Sequence, residues 1–256
     1  MSPDAEYSSN TTVEKDMMRL AFVTGGTRGI GEGICEHLLE HGYKVVTSYL
    51  SNDARAEQLN RRTGIECFKF DISDYAACAE AVEKIKAKYG EISVLVNNAG
   101  IVRDNTMRNL PVEDWQAVIN TNLGGVFNLC RLIFPDMVKN NYGRIINISS
   151  LVGQCGGYGQ TNYVAAKAGI LGLTKALAIE GARFGVTVNS IAPGYVETDM
   201  LKDIPERVME KILRKIPVGR LGQVAEIARG VGFLAAEESG FITGSTISIN
   251  GGQDMH

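Results

Sequence analysis

Short apolar runs alternate with amphipathic stretches along nearly the whole chain. Residues 20–24, 44–48, 65–70, 94–100, 145–148, 186–192 and 246–249 are rich in Val, Ile, Phe and Leu, the signature of buried strands. Between them apolar residues return at helical spacing. Ile34, Leu38 and Leu39 lead to a stop at His41-Gly42, and a second pattern over 76–89 halts at Gly90. Pro111 opens a third through Trp115, Val118 and Ile119, which continues from Val126 to Met137. Others cover 170–184 and 224–235. Regular strand–helix alternation predicts one parallel sheet with helices on both faces, a doubly wound α/β fold. Residues 199–220 are charged and lack strand character; they are read as a mobile helical lid over a cleft. Residues 1–18 are polar and are read as a disordered extension ahead of a single domain at 19–256.

Composition narrows the classes. A chain of 256 residues suits one α/β domain, and 45% apolar with 21% charged residues is the balance of a soluble globular protein. A net charge of −3 argues against non-specific nucleic-acid binding. No uninterrupted apolar run approaches the ~20 residues of a membrane span. The first 18 residues carry Asp4, Glu6, Glu14 and Asp16 and lack the apolar core of a signal peptide. The five cysteines, Cys35, Cys67, Cys78, Cys130 and Cys155, are odd in number with no metal-like spacing. They point to a reducing compartment, the cytoplasm, and to no metal site. Cys155 lies in a glycine-rich loop that supplies no base.

The first strand runs straight into Gly25-Gly-Thr-Arg-Gly-Ile-Gly31, and a helix follows. In that setting bare backbone amides and a helix N-terminus suit a pyrophosphate; a tight turn alone would need only some of these glycines. Where NAD-binding folds place a ribose-gripping carboxylate, this chain has Thr47, Ser48 and Tyr49. Arg28 in the loop and Arg55 beyond the second strand suit a 2′-phosphate instead, so NADPH/NADP+ is expected. Arg55 would look the same as an ordinary solvated helix residue. Asp71, at the end of the third strand, is read either as an acceptor for an adenine amino group or as a cap for the helix starting near Asp74. Asn97 and Asn98 offer amides at the fourth strand's tip, and Ala99-Gly100 leave room for a ligand. Pro193-Gly194 marks a turn at the crevice where open α/β sheets bind ligands.

The fifth strand ends at Ser150, and Tyr163 and Lys167 stand four apart at the start of a helical pattern. Such residues share one helix face, and a nearby cation lowers a phenol's pKa from about 10. Tyr163 thus reads as a proton donor, with Ser150 bonding the same substrate oxygen. A half-buried ring beside a solvated amine has the same spacing. Asn122, mid-helix and mildly unfavourable there, hints at a helix bend that holds water.

Together, Thr24-Gly-Gly-Thr-Arg-Gly-Ile-Gly31, Asn97-Asn-Ala-Gly100, Asn122, Ser150, Tyr163-x-x-x-Lys167 and Pro193-Gly194 resemble the short-chain dehydrogenase/reductase family over residues 20–252. The resemblance implies a single-domain Rossmann-type fold and a catalytic tetrad of Asn122, Ser150, Tyr163 and Lys167. Tyr163 would donate the proton, Ser150 polarise a carbonyl, Lys167 hold the ribose hydroxyls and Asn122 order a proton-relay water. It extends the cofactor set to Gly25, Thr27, Arg28, Gly29, Ile30, Gly31, Arg55, Asp71, Ile72, Asn98, Ala99, Gly100, Tyr163, Lys167, Pro193, Gly194 and Val196.

Within the family the chain looks most like the β-ketoacyl reductases, in particular those acting on acetoacetyl-CoA, through 97–104, 159–163, 193–200 and 248–256. That implies NADPH-dependent reduction of a short 3-oxoacyl thioester, acetoacetyl-CoA to (R)-3-hydroxybutanoyl-CoA, with Asp104, Ser150, Tyr158, Gln160, Tyr163 and Tyr195 on the substrate side. The alternative substrate is 3-oxoacyl-[acyl-carrier-protein]. In that group basic surface residues dock the carrier, and the matching positions here are Asn141 and Phe184. Gly157 stands where the CoA-acting group often has a polar residue. A catalytically dead NADP-sensing protein is disfavoured because the tetrad is complete. The resemblance also implies a homotetramer through the helices after Asn122 and Ser150, near Phe127, Leu173 and Leu177.

Overall fold

Seven strands form one wholly parallel sheet in the order β3-β2-β1-β4-β5-β6-β7. They are β1 Leu20–Thr24, β2 Lys44–Tyr49, β3 Glu66–Lys69, β4 Ile92–Asn97, β5 Gly143–Ile148, β6 Val186–Pro193 and β7 Thr246–Ile249. The computed structural model describes residues 18–199 and 205–255. The order steps outward from β1 in both directions, so the sheet's carboxyl edge parts between β1 and β4. The glycine loop and the Asn97-Asn98 tip meet at that parting, the switch point at which such sheets bind ligands.

Helices cover both faces, as the alternation predicts. On one, α1 (Gly29–Glu40) and α9 (Val224–Ala235) bury Ile34, Leu38, Ile227 and Val231 against Val23, Val96 and Ile146. On the other, α3 (Tyr75–Tyr89), α5 (Gly125–Lys139) and α7 (Thr161–Gly181) bury Val82, Leu129 and Ile170 against Phe22, Leu95 and Ile145. Each such side chain contributes about 1.5–3 kcal/mol relative to leaving it in water. Two helices have no match among the predicted ones, the short Leu151–Cys155, which was read as loop, and α2, Asp53–Thr63, which buries only Ala56 and Leu59. Two apolar contacts in eleven residues leave no visible stripe; its caps, Asn52 and a left-handed Gly64 (φ +75°), define it instead.

The pattern that Pro111 opens becomes α4, Val112–Ile119, then one π turn, Asn120–Gly124, and then α5. The run Val112–Lys139 is therefore continuous, and by length and composition alone it is apolar enough to cross a bilayer. That amends the expectation that no segment reaches span length. Val118, Val126, Leu129, Ile133 and Met137 are nevertheless buried in the protein's own core. The 170–184 pattern is part of a longer helix, because α7 starts at Thr161 and continues to the short 3₁₀ turn Ala182–Phe184. Within the expected lid, residues 200–204 lie outside the described residues, and Glu206–Leu213 form α8. The expected extension at 1–17 lies outside them too.

A polar row crosses the sheet beneath the site. Asn97 and Asn147 are register partners on β4 and β5, and Asn147 pairs with Ser190 on β6. Asn97 Nδ2 donates to Asn147 Oδ1 (2.8 Å), Asn147 Nδ2 to Thr174 Oγ1 (2.9 Å), and the hydroxyls of Thr174 and Ser190 share a bond (2.7 Å). All four residues are buried, so the row fastens α7 to three strands. Asn147→Ala would remove a partner from both Asn97 Nδ2 and Thr174 Oγ1 and leave a cavity in the dry interior. We expect a loss of about 2–4 kcal/mol in chemical denaturation.

Candidate active site

The cofactor side is built from bare backbone. Arg28 precedes α1 in extended conformation and gives no side-chain cap, so the helix's first N–H groups are left for an anion. A Cβ on Gly31 would lie 2.3 Å from the Gly25 carbonyl oxygen, and one on Gly25 3.1 Å from Ala99. Only glycine lets these strands of backbone close up. Thr24 Oγ1 accepts from the N–H groups of Asn98 and Ala99 (2.9 Å each), and Asn98 Nδ2 donates to the carbonyls of Thr24 (2.8 Å) and Gly25 (3.2 Å). The two halves of the crevice are thereby tied together, a cradle that fits a dinucleotide's phosphates. Asp53 is the first carboxylate after β2. It is held by Lys69 (2.8 Å) and Tyr49 (3.0 Å), so it is engaged away from a ribose. Arg28 is exposed beside the loop.

Ser150 caps the short helix α6, Leu151–Cys155, directly after β5. Its Oγ accepts from the Val152 N–H (3.4 Å) and lies near enough to the Tyr163 phenol to favour its ionised form. Lys167 is buried one turn along α7, its Nζ donating to the Ile148 carbonyl (2.7 Å) and lying 5.6 Å from the Tyr163 ring centroid. Ser149 Oγ donates to the Lys167 carbonyl (2.9 Å), pinning that turn to the strand end.

The electrostatics correct one expectation. Burial pushes the Tyr163 phenol above its ordinary value; the Ser150 hydroxyl opposes this, and the Asp104 carboxylate adds to it. The lysine does not depress it. Instead burial lowers Lys167 itself to about 8, because its ammonium faces a carbonyl and a ring rather than a carboxylate. Tyr163 therefore stays protonated through neutral pH and stands ready as an acid.

Asn122 sits in the π turn, fully buried. Its Oδ1 accepts from the Ile101 N–H (2.8 Å) and its Nδ2 donates to the Ile101 carbonyl (2.9 Å). The side chain thus locks the segment after β4 to the π turn. The π turn places a local departure from α-helical geometry at this Asn.

Among the substrate-side residues, Asp104 and Gln160 meet across the mouth (Nε2–Oδ2 2.8 Å). Tyr158 stands 95% exposed, and Tyr195 is 38% exposed beside the Pro193-Gly194 turn. Val196 bridges to Gly222, and a Cβ at Gly194 would collide with Asn250 at 2.9 Å, so this turn needs glycine. Asp71 does not cap α3: Asp74 does, accepting from Ala76 and Ala77, while Asp71 binds Ser73. Its adenine reading stands alone. Ile72 packs against Gly125 and its carbonyl accepts from Asn128 (2.9 Å). Thr27 is buried and Ile30 partly so, both in the loop.

Asn162 went unread in the sequence. It is buried; its Nδ2 donates to the Arg103 carbonyl (2.9 Å) and its Oδ1 accepts from the Tyr163 N–H (2.8 Å), which sets the start of α7. A poor helix former one residue before the tyrosine was the available signal.

Residues 25–254 match the family model described as enoyl-(acyl carrier protein) reductase. The chain is 55% identical to the acetoacetyl-CoA reductase of Shinella zoogloeoides and 53% to that of Rhizobium meliloti, each over 93% of this chain and 99% of the relative. It is 44% identical to the 3-oxoacyl-[acyl-carrier-protein] reductase of Escherichia coli, over 93% of this chain and 98% of the relative.

Proposed function

The chain belongs to the short-chain dehydrogenase/reductase family, and from that premise we propose that it reduces acetoacetyl-CoA to (R)-3-hydroxybutanoyl-CoA with NADPH. The neighbouring Ser150 and Tyr163 hydroxyls carry this reading: two such groups at a strand end suit one carbonyl oxygen, and so a ketone better than a carbon–carbon double bond. Ser150 orients and polarises the carbonyl, and Tyr163 Oη delivers its proton to the oxygen as negative charge develops there. Bound reduced nicotinamide supplies hydride to the carbonyl carbon. Lys167, held by Ile148, would bind the ribose hydroxyls of the coenzyme and help to restore the phenol's proton, and Asn122 keeps the segment after β4 in place through Ile101.

The names of the more similar relatives support the CoA thioester, and the absence of a basic residue at Asn141 and Phe184 agrees. Arg28 and Arg55, with Asp53 otherwise engaged, support NADPH over NADH. Phe127 and Ile179 are exposed on α5 and α7 and fit a homotetramer, whereas Leu173 and Leu177 pack partly on the core. Five free thiols fit the cytoplasm.

The test compares kcat/KM for acetoacetyl-CoA, acetoacetyl-carrier protein and crotonyl-CoA, each with NADPH and NADH. We expect at least about tenfold preference for acetoacetyl-CoA with NADPH, the span that one well-placed recognition contact provides. Preference for the carrier protein would move the enzyme to acyl-carrier chemistry, and turnover only on crotonyl-CoA would overturn the role given to the hydroxyl pair.

A further inference from the structure

One ion pair spans the groove that the glycine loop opens. Arg55 Nη2 lies 2.8 Å from Asp199 Oδ2, joining the start of α2 to the segment that follows β6. The arginine is held at its base, since its own N–H is the one that Asn52 Oδ1 caps (3.0 Å). The aspartate is placed by its neighbour: a Cβ at Gly29 would lie 3.5 Å from Thr198 Cγ2, so this segment passes directly over the first turn of α1. Below it is a cleft of about 450 Å³ walled by Gly29, Glu32, Glu36, Glu197, Thr198 and Asp199. Glu32 and Glu36 are paired with Arg62, so α2's other nearby arginine is occupied by α1. Arg55 reaches across to the far wall.

We propose that Asp199 is an internal competitor for the cofactor's 2′-phosphate: its carboxylate occupies Arg55 in the free protein and is exchanged for the phosphate on binding. The inference rests on the NADPH reading above. A phosphate dianion carries more charge than a carboxylate and offers three acceptor oxygens to a guanidinium, so the exchange favours the phosphorylated ligand. A ligand with a bare 2′-hydroxyl has no anion to trade and leaves the pair closed. Asp199 thereby weakens the wanted cofactor a little, because only the fraction of molecules with Arg55 released is ready to bind it. Both side chains are about 40% exposed, and exposed pairs of this kind change an equilibrium by no more than about fivefold.

The experiment titrates 2′,5′-ADP, NADPH and NADH into the purified protein by calorimetry, without substrate. Asp199→Asn is expected to tighten 2′,5′-ADP and NADPH by about threefold to fivefold, with little change for NADH. Arg55→Gln should weaken the two phosphorylated ligands, and adding Asp199→Asn to it should change nothing further. Circular dichroism of each variant checks the fold, and Asp199→Ser gives a second removal of the charge. Unchanged or weaker 2′,5′-ADP binding in both Asp199 variants would overturn the proposal, since the aspartate would then be orienting Arg55 or idle. Should the unaltered protein bind NADH as tightly as NADPH, the cofactor reading fails and this inference with it.

Discussion

A Tyr163→Phe protein is expected to reduce acetoacetyl-CoA about 10²–10⁴-fold more slowly in kcat, the range a positioned general acid supplies, while NADPH binding measured by fluorescence stays nearly unchanged. The ring persists in the variant and only the hydroxyl beside Ser150 is lost. Because burial and Asp104 hold the phenol's pKa above its usual value, the wild type should keep its reductive rate through neutral pH. Near-normal kcat in the variant would remove Tyr163 from the chemistry, and the proton would have to come from another group.

Lys167→Met is expected to have opposite effects on activity and stability. The ammonium is buried against the Ile148 carbonyl without a carboxylate, and its pKa falls from 10.5 to about 8. Below pH 8 both folded and unfolded chains hold the proton, and the folded state bears the full penalty, about 3 kcal/mol for a shift of that size. As pH rises from 8 towards 10.5 the folded chain loses the proton first, and the penalty fades. Methionine removes the charge but leaves the Ile148 carbonyl without its donor, which costs about 1 kcal/mol. At pH 7 the variant should therefore be about 2 kcal/mol more stable in urea unfolding, with the gap closing by pH 10. Its reductase activity should be almost gone. A variant less stable than the wild type at pH 7 would mean that the lysine's contacts outweigh its desolvation.

Five of the seven strands were legible because they cross the sheet's interior as largely buried apolar runs, whereas the edge strands β3 and β7 hold no buried residue and were read from short runs of strand-forming residues. The glycine loop was legible because glycines 25, 29 and 31 have a steric purpose that survives in one dimension. Ser150, Tyr163 and Lys167 follow from a strand end and a four-residue step. The sense of the Tyr–Lys interaction did not follow: helix spacing places two side chains on one face but says nothing of how much water is left around them, and here dehydration is stronger than the charge effect. Asn122 shows the same limit. Its chain position was suspicious, yet its partner is the backbone of Ile101, twenty-one residues away. Charged α2 was invisible for the converse reason, since its stability comes from caps and salt links at its surface.

The outward stepping of the strand order also separates two kinds of change. Under the proposed reading, β1 to β3 and their helices grip the coenzyme's adenosine end, whereas β4 to β6 present every group that handles the ketone and its proton. The border between these halves is the amide-to-backbone clasp of Asn98 on the glycine loop. Coenzyme preference is consequently open to change by exchanging the stretch around residues 28–55 together with its partner Asp199, and ketone preference by exchanging 101–106 with 154–160. A graft that respects this seam keeps the clasp. One that cuts between Thr24 and Asn98 loses it and disturbs both halves together.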